Sequence, residues 1–387
     1  MTRPPTPALS DPRADTLSSA QDLVSAYERA GYARARPAIL QPAEPFLDLS
    51  GEDIRARMFP TVGRSGEELC LRPDFTIPVS RDYLASAAAG QPQGYCYLGP
   101  VFRDRGALPG EFLQAGIESF GRTDKAAADA ETLALGLEAT AHFGRADPEI
   151  RIGDVGLFVA MVSALDLSPA WKRRLIKDFN RKASLAQDLD RLTLAAANGR
   201  PDYQGVLAAL TGSDPKGAHA LITDLLSIAG ITAVGGRSVG EIADRFLEQS
   251  TLDASAALPP YTRSLVERYL AISANPLEAS VTMRQLASDA GVVLTPTLDL
   301  FDARNTELAR RGIDLERIVF SSSFGRGMDY YTGFVFELRD GEGDEPLVAG
   351  GRYDDLLTRL GSPTPIPAVG FSVWIERLAG SVAGGAA

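Results

Sequence analysis

The sequence predicts an α+β protein in which mainly antiparallel strands bracket a long helical middle. Two stretches, Tyr95–Arg103 and Glu111–Phe120, read as strands on either side of a Gly/Pro-containing loop, Asp104–Gly110, the pattern of a hairpin with a long tip. From about residue 156 to 280 the composition turns to helix with few strand signals. After about residue 297 strand signals return, so that strands flank the helices on both sides.

Taken in order, residues 18–30 place Leu23, Val24, Tyr27 and Ala30 at helical spacing behind a Ser18-x-x-Gln21 capping box, and Gly31 is expected to stop that helix. A strand-like segment follows at Arg36–Pro42, then the hairpin, an Ala/Leu-rich helix at 127–142 and a strand at Glu149–Val155. In the helical middle, Trp171, Leu175 and Phe179 fall along one side of a helix whose other side carries Lys172, Arg173, Lys177 and Arg181. A solvated helix with a basic side accounts for that run. A helix at Leu298–Arg311 leads into Ile318–Phe320, the stretch GRGMDYYTGFVFE at Gly325–Glu337, a strand near Pro346–Val348, and Ile366–Leu378 as a strand running into a helix. The expected division is therefore a flexible leader at 1–15, a core in two parts at 16–165 and 296–380, a mainly helical insertion at 166–295, and a Gly/Ala tail at 381–387.

The chain has 387 residues, enough for about two domains. Its 39 basic and 50 acidic residues give a net charge of −11, the opposite of the basic field that grips a nucleic-acid backbone, so no tRNA partner is expected. The N-terminus is Pro-rich and polar without the apolar stretch of a signal peptide, and no membrane association is expected, which places the protein in the cytoplasm. Cys70 and Cys96 read as buried thiols in a reducing compartment. His142 and His219 lie too far apart for a metal motif and are expected on helix surfaces, so neither a metal nor any other cofactor is expected.

Side chains two apart on a strand share a face, so Gln114, Gly116 and Glu118 point the same way. One reading is an antiparallel sheet with a wet side. The other is a concave face that binds an amino acid, to which Arg326, Asp329, Tyr330 and Tyr331 in the glycine-flanked stretch and the turn Leu71–Thr76 would contribute guanidinium, carboxylate and phenol groups.

The ordered motifs LRPDFT (71–76), YLGPVFRDRG (97–106) with EFLQAGIESFG (111–121), GRGMDYYTGFVFEL (325–338) and VAGGRYDDLLTRLG (348–361) with PAVGFSVWIERL (367–378) resemble the core of the class II aminoacyl-tRNA synthetases, in the histidyl-tRNA synthetase branch. That resemblance implies a six- or seven-stranded, mostly antiparallel sheet flanked by helices, and a homodimer built on the segment around Arg36–Phe46. It also implies a histidine pocket in which Glu118 and Tyr331, with Tyr330 alongside, hold the imidazole, Asp74, Thr76 and Gln114 the α-amino group, and Arg326 the carboxylate. The chemistry suits the ligand: an ammonium needs acceptors and a carboxylate needs a guanidinium.

Three departures point away from a working synthetase. Arg103 and Arg377 match nucleotide-gripping arginines of the family, but Arg105 stands where the family has a glutamate and the loop to Gln114 is short. Trp374 stands where a glycine makes room for adenine, which suggests a filled pocket. Only Ala379–Ala387 follow the last motif, so an anticodon-binding domain is not expected. The family has a regulatory branch of this kind, whose members assemble with a short catalytic subunit of ATP phosphoribosyltransferase in the first step of histidine biosynthesis. The resemblance to that branch implies a non-catalytic subunit with histidine as effector, within a hetero-oligomer. The alternative is a histidine-activating, adenylate-forming ligase, which the three arginines Arg103, Arg326 and Arg377 keep open.

Overall fold

The computed structural model of the chain describes residues 12–194, 220, 223–224, 260–341 and 345–380. His219, most of the 195–259 stretch of the expected insertion and the 381–387 tail lie outside them. In chain order the strands are β1 (Ala33–Arg34), β2 (Leu40–Pro42), β3 (Pro60–Val62), β4 (Glu68–Leu71), β5 (Gln93–Phe102), β6 (Glu111–Phe120), β7 (Glu149–Asp154), β8 (Ser273–Ala274), β9 (Ile318–Ser321), β10 (Phe334–Arg339), β11 (Val348–Arg352) and β12 (Ala368–Trp374).

Nine of them form one sheet in the order β1-β5-β6-β12-β11-β10-β7-β9-β8, and β2-β4-β3 form a second. The main sheet is wider than the six or seven strands expected because two-residue strands, β1 and β8, extend its two edges. All neighbours pair antiparallel except β1 with β5 and β7 with β9. The predicted hairpin is present and unbroken: Gln93 faces Phe120 and Phe102 faces Glu111, residue for residue.

Two helices cover one face of the sheet. The first runs Pro12–Arg29, six residues earlier than expected, so Ser18 and Gln21 lie inside it and form no cap. Proline is compatible with a first helical turn, where its missing N–H is no loss. Its Tyr27 is 1% exposed and meets the Phe371 ring edge-on at 6.0 Å. The second helix, Lys125–His142, packs on β11 and β12. At its end His142 is exposed, with a ring nitrogen 2.9 Å from the Ser19 carbonyl.

A buried ion network pins this helical layer to the sheet. Arg304, 1% exposed on the Thr295–Arg310 helix, donates to Asp154 at 2.8 Å and Asp129 at 3.3 Å. Arg352, at the end of β11, donates to Asp129 at 2.6 Å and Asp354 at 2.9 Å. Removing either sign would leave a charge in low dielectric.

The described residues of 1–160 and 269–387 form one compact unit and those of 161–268 a second. Residues 269–295, which the sequence reading gave to the insertion, thus group with the sheet. They supply β8 and a helix, Pro276–Ala290, started by the Asn275 side chain, which accepts from the N–H groups of Leu277 and Glu278. In the second unit Pro169–Asp178 is the amphipathic helix expected, with Trp171 and Leu175 buried. Cys70 and Cys96 are free, buried thiols.

Candidate functional site

Register builds the site. Gly116 of β6 stands between Tyr97 of β5 and Ser372 of β12, Glu118 between Tyr95 and Gly370, and Gln114 between Gly99 and Trp374. Continuing outward, Gly370 faces Gly351 and Ser372 faces Ala349, which in turn faces Glu337 of β10. One face of five strands thus alternates polar side chains with residues lacking bulk. This face is not wet: Gln114 and Glu118 are each 1% exposed, which speaks against an antiparallel sheet with a solvated side.

Glu118 is the hub. Its carboxylate accepts from the Thr76 hydroxyl at 2.8 Å, from Tyr97 at 3.4 Å and, at very short range, from Tyr353. Tyr97 also donates to the Phe371 carbonyl at 3.1 Å and meets the Ser372 hydroxyl at 3.0 Å. Burial pushes the Glu118 carboxyl up to about 8, against the opposing pull of these hydroxyls. Gly370 makes room for it, since a Cβ there would overlap the carboxylate. Tyr330 and Tyr331 close the cluster, their rings 4.9 Å apart and 5.7 and 6.4 Å from the Tyr353 ring.

Asp74 sits just ahead of the Thr76–Leu84 helix, fully enclosed, and burial raises its carboxyl although Arg103 nearby opposes the shift. One of its oxygens accepts from the Ile77 N–H at 3.4 Å; the other, Oδ2, has no partner among the described residues. Gln114 Oε1 is likewise buried and unpartnered. Gln114 and Glu118 stand two pleats apart on one face, about 13 Å along the strand.

The structure therefore gathers Asp74, Thr76, Glu118, Tyr330 and Tyr331 around one buried point and sets Gln114 on the same face. Arg326 is placed differently. Its guanidinium donates to Glu337 at 2.9 Å and lines a neighbouring cavity, while still acting electrostatically on Tyr331. Sequence reasoning missed Tyr97, Tyr353, Ser372 and Glu337. The signal for Tyr97 was available in the hairpin register, which sets it opposite Gly116; Tyr353 lies in a quoted motif but its partner is 235 residues away.

That neighbouring cavity holds about 580 Å³ and is walled by Arg57, Arg103, Arg105, Arg326 and Arg377 with Trp374, Phe112 and three carboxylates. The Trp374 indole forms one wall of this cavity. The Arg377 guanidinium stands 4.8 Å and that of Arg326 6.0 Å from the indole centroid, and Arg105 stands 4.3 Å from the Phe112 centroid. Burial, reinforced by the neighbouring arginines, pushes Arg377 down to about 10.

Comparison with known proteins gives the class and then the family. The chain matches the histidyl-tRNA synthetase family over residues 11–238 and 243–378. Among solved structures it is similar to an ATP phosphoribosyltransferase regulatory subunit/histidyl-tRNA synthetase from Bacillus halodurans, with a TM-score of 0.64 and 21% identity over 99% of this chain and 82% of that one. A histidyl-tRNA synthetase from Nostoc gives a TM-score of 0.63 at 17% identity, over 99% and 76%. The fold is that of the class II synthetase core. Curated relatives are nearer in sequence: proteins named ATP phosphoribosyltransferase regulatory subunit from Brucella canis and Brucella abortus are each 42% identical over 344 residues, 88% of this chain and 90% of theirs. The chain belongs to the family of ATP phosphoribosyltransferase regulatory subunits, a branch of the histidyl-tRNA synthetase-like proteins. Among the described residues no helix is long and apolar enough to cross a membrane.

Proposed function

We propose that the chain acts in the cytoplasm as a non-catalytic subunit that assembles with a short ATP phosphoribosyltransferase catalytic subunit and carries histidine feedback to it. The observation that supports histidine as effector is the pair of buried, unpartnered acceptors, Gln114 Oε1 on the face that also holds Glu118 and Asp74 Oδ2 in the turn ahead of the Thr76–Leu84 helix. A buried acceptor without a donor costs about 1–3 kcal/mol, and an ammonium supplies three donors. In this reading the Glu118, Tyr331 and Tyr330 cluster takes the imidazole and Arg326 turns to the carboxylate. Allostery then requires that histidine bind two states of the assembly unequally.

The test mixes the purified chain with the catalytic subunit. The mixture should form a hetero-oligomer with far higher phosphoribosyltransferase activity than the catalytic subunit alone, inhibited by histidine. Gln114→Ala should weaken that inhibition by about tenfold, the equivalent of one hydrogen bond to a charged group, with assembly intact. Failure to assemble at micromolar concentration defeats the regulatory reading, whereas unchanged inhibition in the variant defeats only the placement of the effector. The ligase reading draws on the arginines that wall the cavity. Histidine-dependent exchange of pyrophosphate into ATP should be absent, and exchange at a synthetase-like rate would restore that reading.

A further inference from the structure

Arg326 is the residue assigned to the ligand's carboxylate, yet a carboxylate of the protein already holds it. Its Nη1 donates to Glu337 Oε1 at 2.9 Å, the two side chains being 12% and 10% exposed. Its Nε is buried and has no partner among the described residues. The guanidinium still reaches the pocket electrostatically: burial raises the Tyr331 hydroxyl, and Arg326 is the largest influence opposing that rise. The other carboxylates nearby are engaged elsewhere. Asp104 accepts the Gly106 N–H at 2.9 Å, Glu345 meets Arg377 at 2.7 Å, and Asp74 acts on Arg103.

Glu337 does not depend on Arg326 in return. Side chains two apart on a strand share a face, so Arg339 stands beside Glu337 on β10. Arg339 donates to the other oxygen, Oε2, from Nε at 3.0 Å and from Nη2 at 2.6 Å. Directly across on β7 is Arg151, whose guanidinium lies over the Phe324 ring, 4.7 Å from its centroid. One carboxylate thus stands among three arginines and gives a separate oxygen to each of the two it bonds. When Arg326 swings away, Glu337 keeps Arg339, so the departure avoids the large cost of leaving a buried charge without its partner. Arg326, for its part, exchanges one carboxylate for another.

We propose that Glu337 is an internal competitor for Arg326, holding the guanidinium off the amino-acid ligand, and that Arg339 is the cation that allows it to let go. The proposal rests on the reading of the Glu118 cluster as a histidine pocket with Arg326 on the ligand's carboxylate. Histidine then binds at the expense of the Arg326–Glu337 pair, and its apparent affinity follows the share of molecules in which Arg326 is free. A ligand without a carboxylate has no claim on Arg326 and meets no such competition.

Calorimetric titration of the full-length chain tests this with two probes, histidine and histidinol, in which a primary alcohol replaces the carboxylate. Glu337→Gln keeps the shape and an acceptor but removes the charge. It should tighten histidine about fivefold, the difference between a charge-assisted and a neutral hydrogen bond. Arg339→Gln should weaken histidine by a similar factor, because Glu337 then holds Arg326 harder. In the Glu337→Gln background the Arg339→Gln change should leave histidine affinity within about twofold, since the competitor is already gone. Histidinol should be neither tightened by the first substitution nor weakened by the second. Because the single variants are expected to move in opposite directions, a general loss of packing cannot imitate the pattern, and a variant that does not fold leaves the other to decide. Histidine affinity that is unchanged or weaker in Glu337→Gln overturns the proposal, since Glu337 would then only steady Arg326. Tightening that extends equally to histidinol overturns it as well, and so does an Arg339→Gln chain that binds histidine as tightly as the parent. A parent that binds no histidine at millimolar concentration defeats the histidine reading and this proposal together, whereas the other adverse outcomes leave that reading intact.

Discussion

Replacing Glu118 with glutamine should change how stability depends on pH, in a direction the site fixes. The carboxyl rises from 4.5 to about 8, chiefly through burial. In the unfolded chain it loses its proton near 4.5; in the folded protein it keeps it to about 8. Between those values the folded state binds more protons than the unfolded state, so stability is fully present below pH 4.5 and falls as pH rises toward 8. Such a rise corresponds to about 5 kcal/mol at about 1.36 kcal/mol per pH unit, an upper figure that water entry and rearrangement around the carboxylate reduce.

The substituted amide cannot ionise, and it can still bond the hydroxyls of Thr76, Tyr97 and Tyr353 that surround the position. The Glu118→Gln chain should therefore gain on the parent by about 2–5 kcal/mol between about pH 5 and pH 8. Other titrating groups are common to both chains and cancel in the difference. Urea unfolding can be followed by Trp374 emission, since Trp374 is 6% exposed and belongs to the sheet unit, in a Trp171→Phe background that removes the only other tryptophan. Stability curves that run parallel across that pH range would refute the assignment of a proton to Glu118.

Two further substitutions probe the framework. Gly370→Ala, which drives a methyl into the Glu118 carboxylate and to 2.5 Å from the Ile117 carbonyl, should cost about 1–3 kcal/mol in thermal unfolding and weaken histidine binding with it. Asp129→Ala removes the buried carboxylate that Arg304 and Arg352 share, leaving them only Asp154 and Asp354, and should cost about 3–5 kcal/mol, whereas Asp124→Ala, which loses a half-exposed pair with Arg122, should cost under about 1 kcal/mol by the same measurement.

The parts of this fold that were legible in the sequence are those set by local rules. The β5–β6 hairpin announced itself through period-two alternation and a Gly/Pro tip, and alternation alone put Gln114 and Glu118 on one face. The start of the first helix was misread because a capping box is a local pattern that also occurs inside helices, and Ser18-x-x-Gln21 is such a case. What could not be read was anything joined over long separations. Tyr353 reaches Glu118 across 235 residues, Arg304 reaches Asp129 across 175, and the edge strands β1 and β8 are two residues each, too short for periodicity to register.

The cavity beside Trp374 shows the same limit in chemical form. The sequence reading took Trp374 as an obstacle by its volume alone. Volume alone, however, does not say where the guanidiniums go. With Arg377 at 4.8 Å over the indole and Arg105 at 4.3 Å over Phe112, the two departures from the synthetase pattern act together: one supplies an aromatic face, the other a cation, and each ring ends up covered by protein. A glutamate at position 105 could not have covered Phe112, because a carboxylate is repelled by the negative face of a ring. Arg105 therefore covers one face of Phe112 and is one of five arginines in this wall.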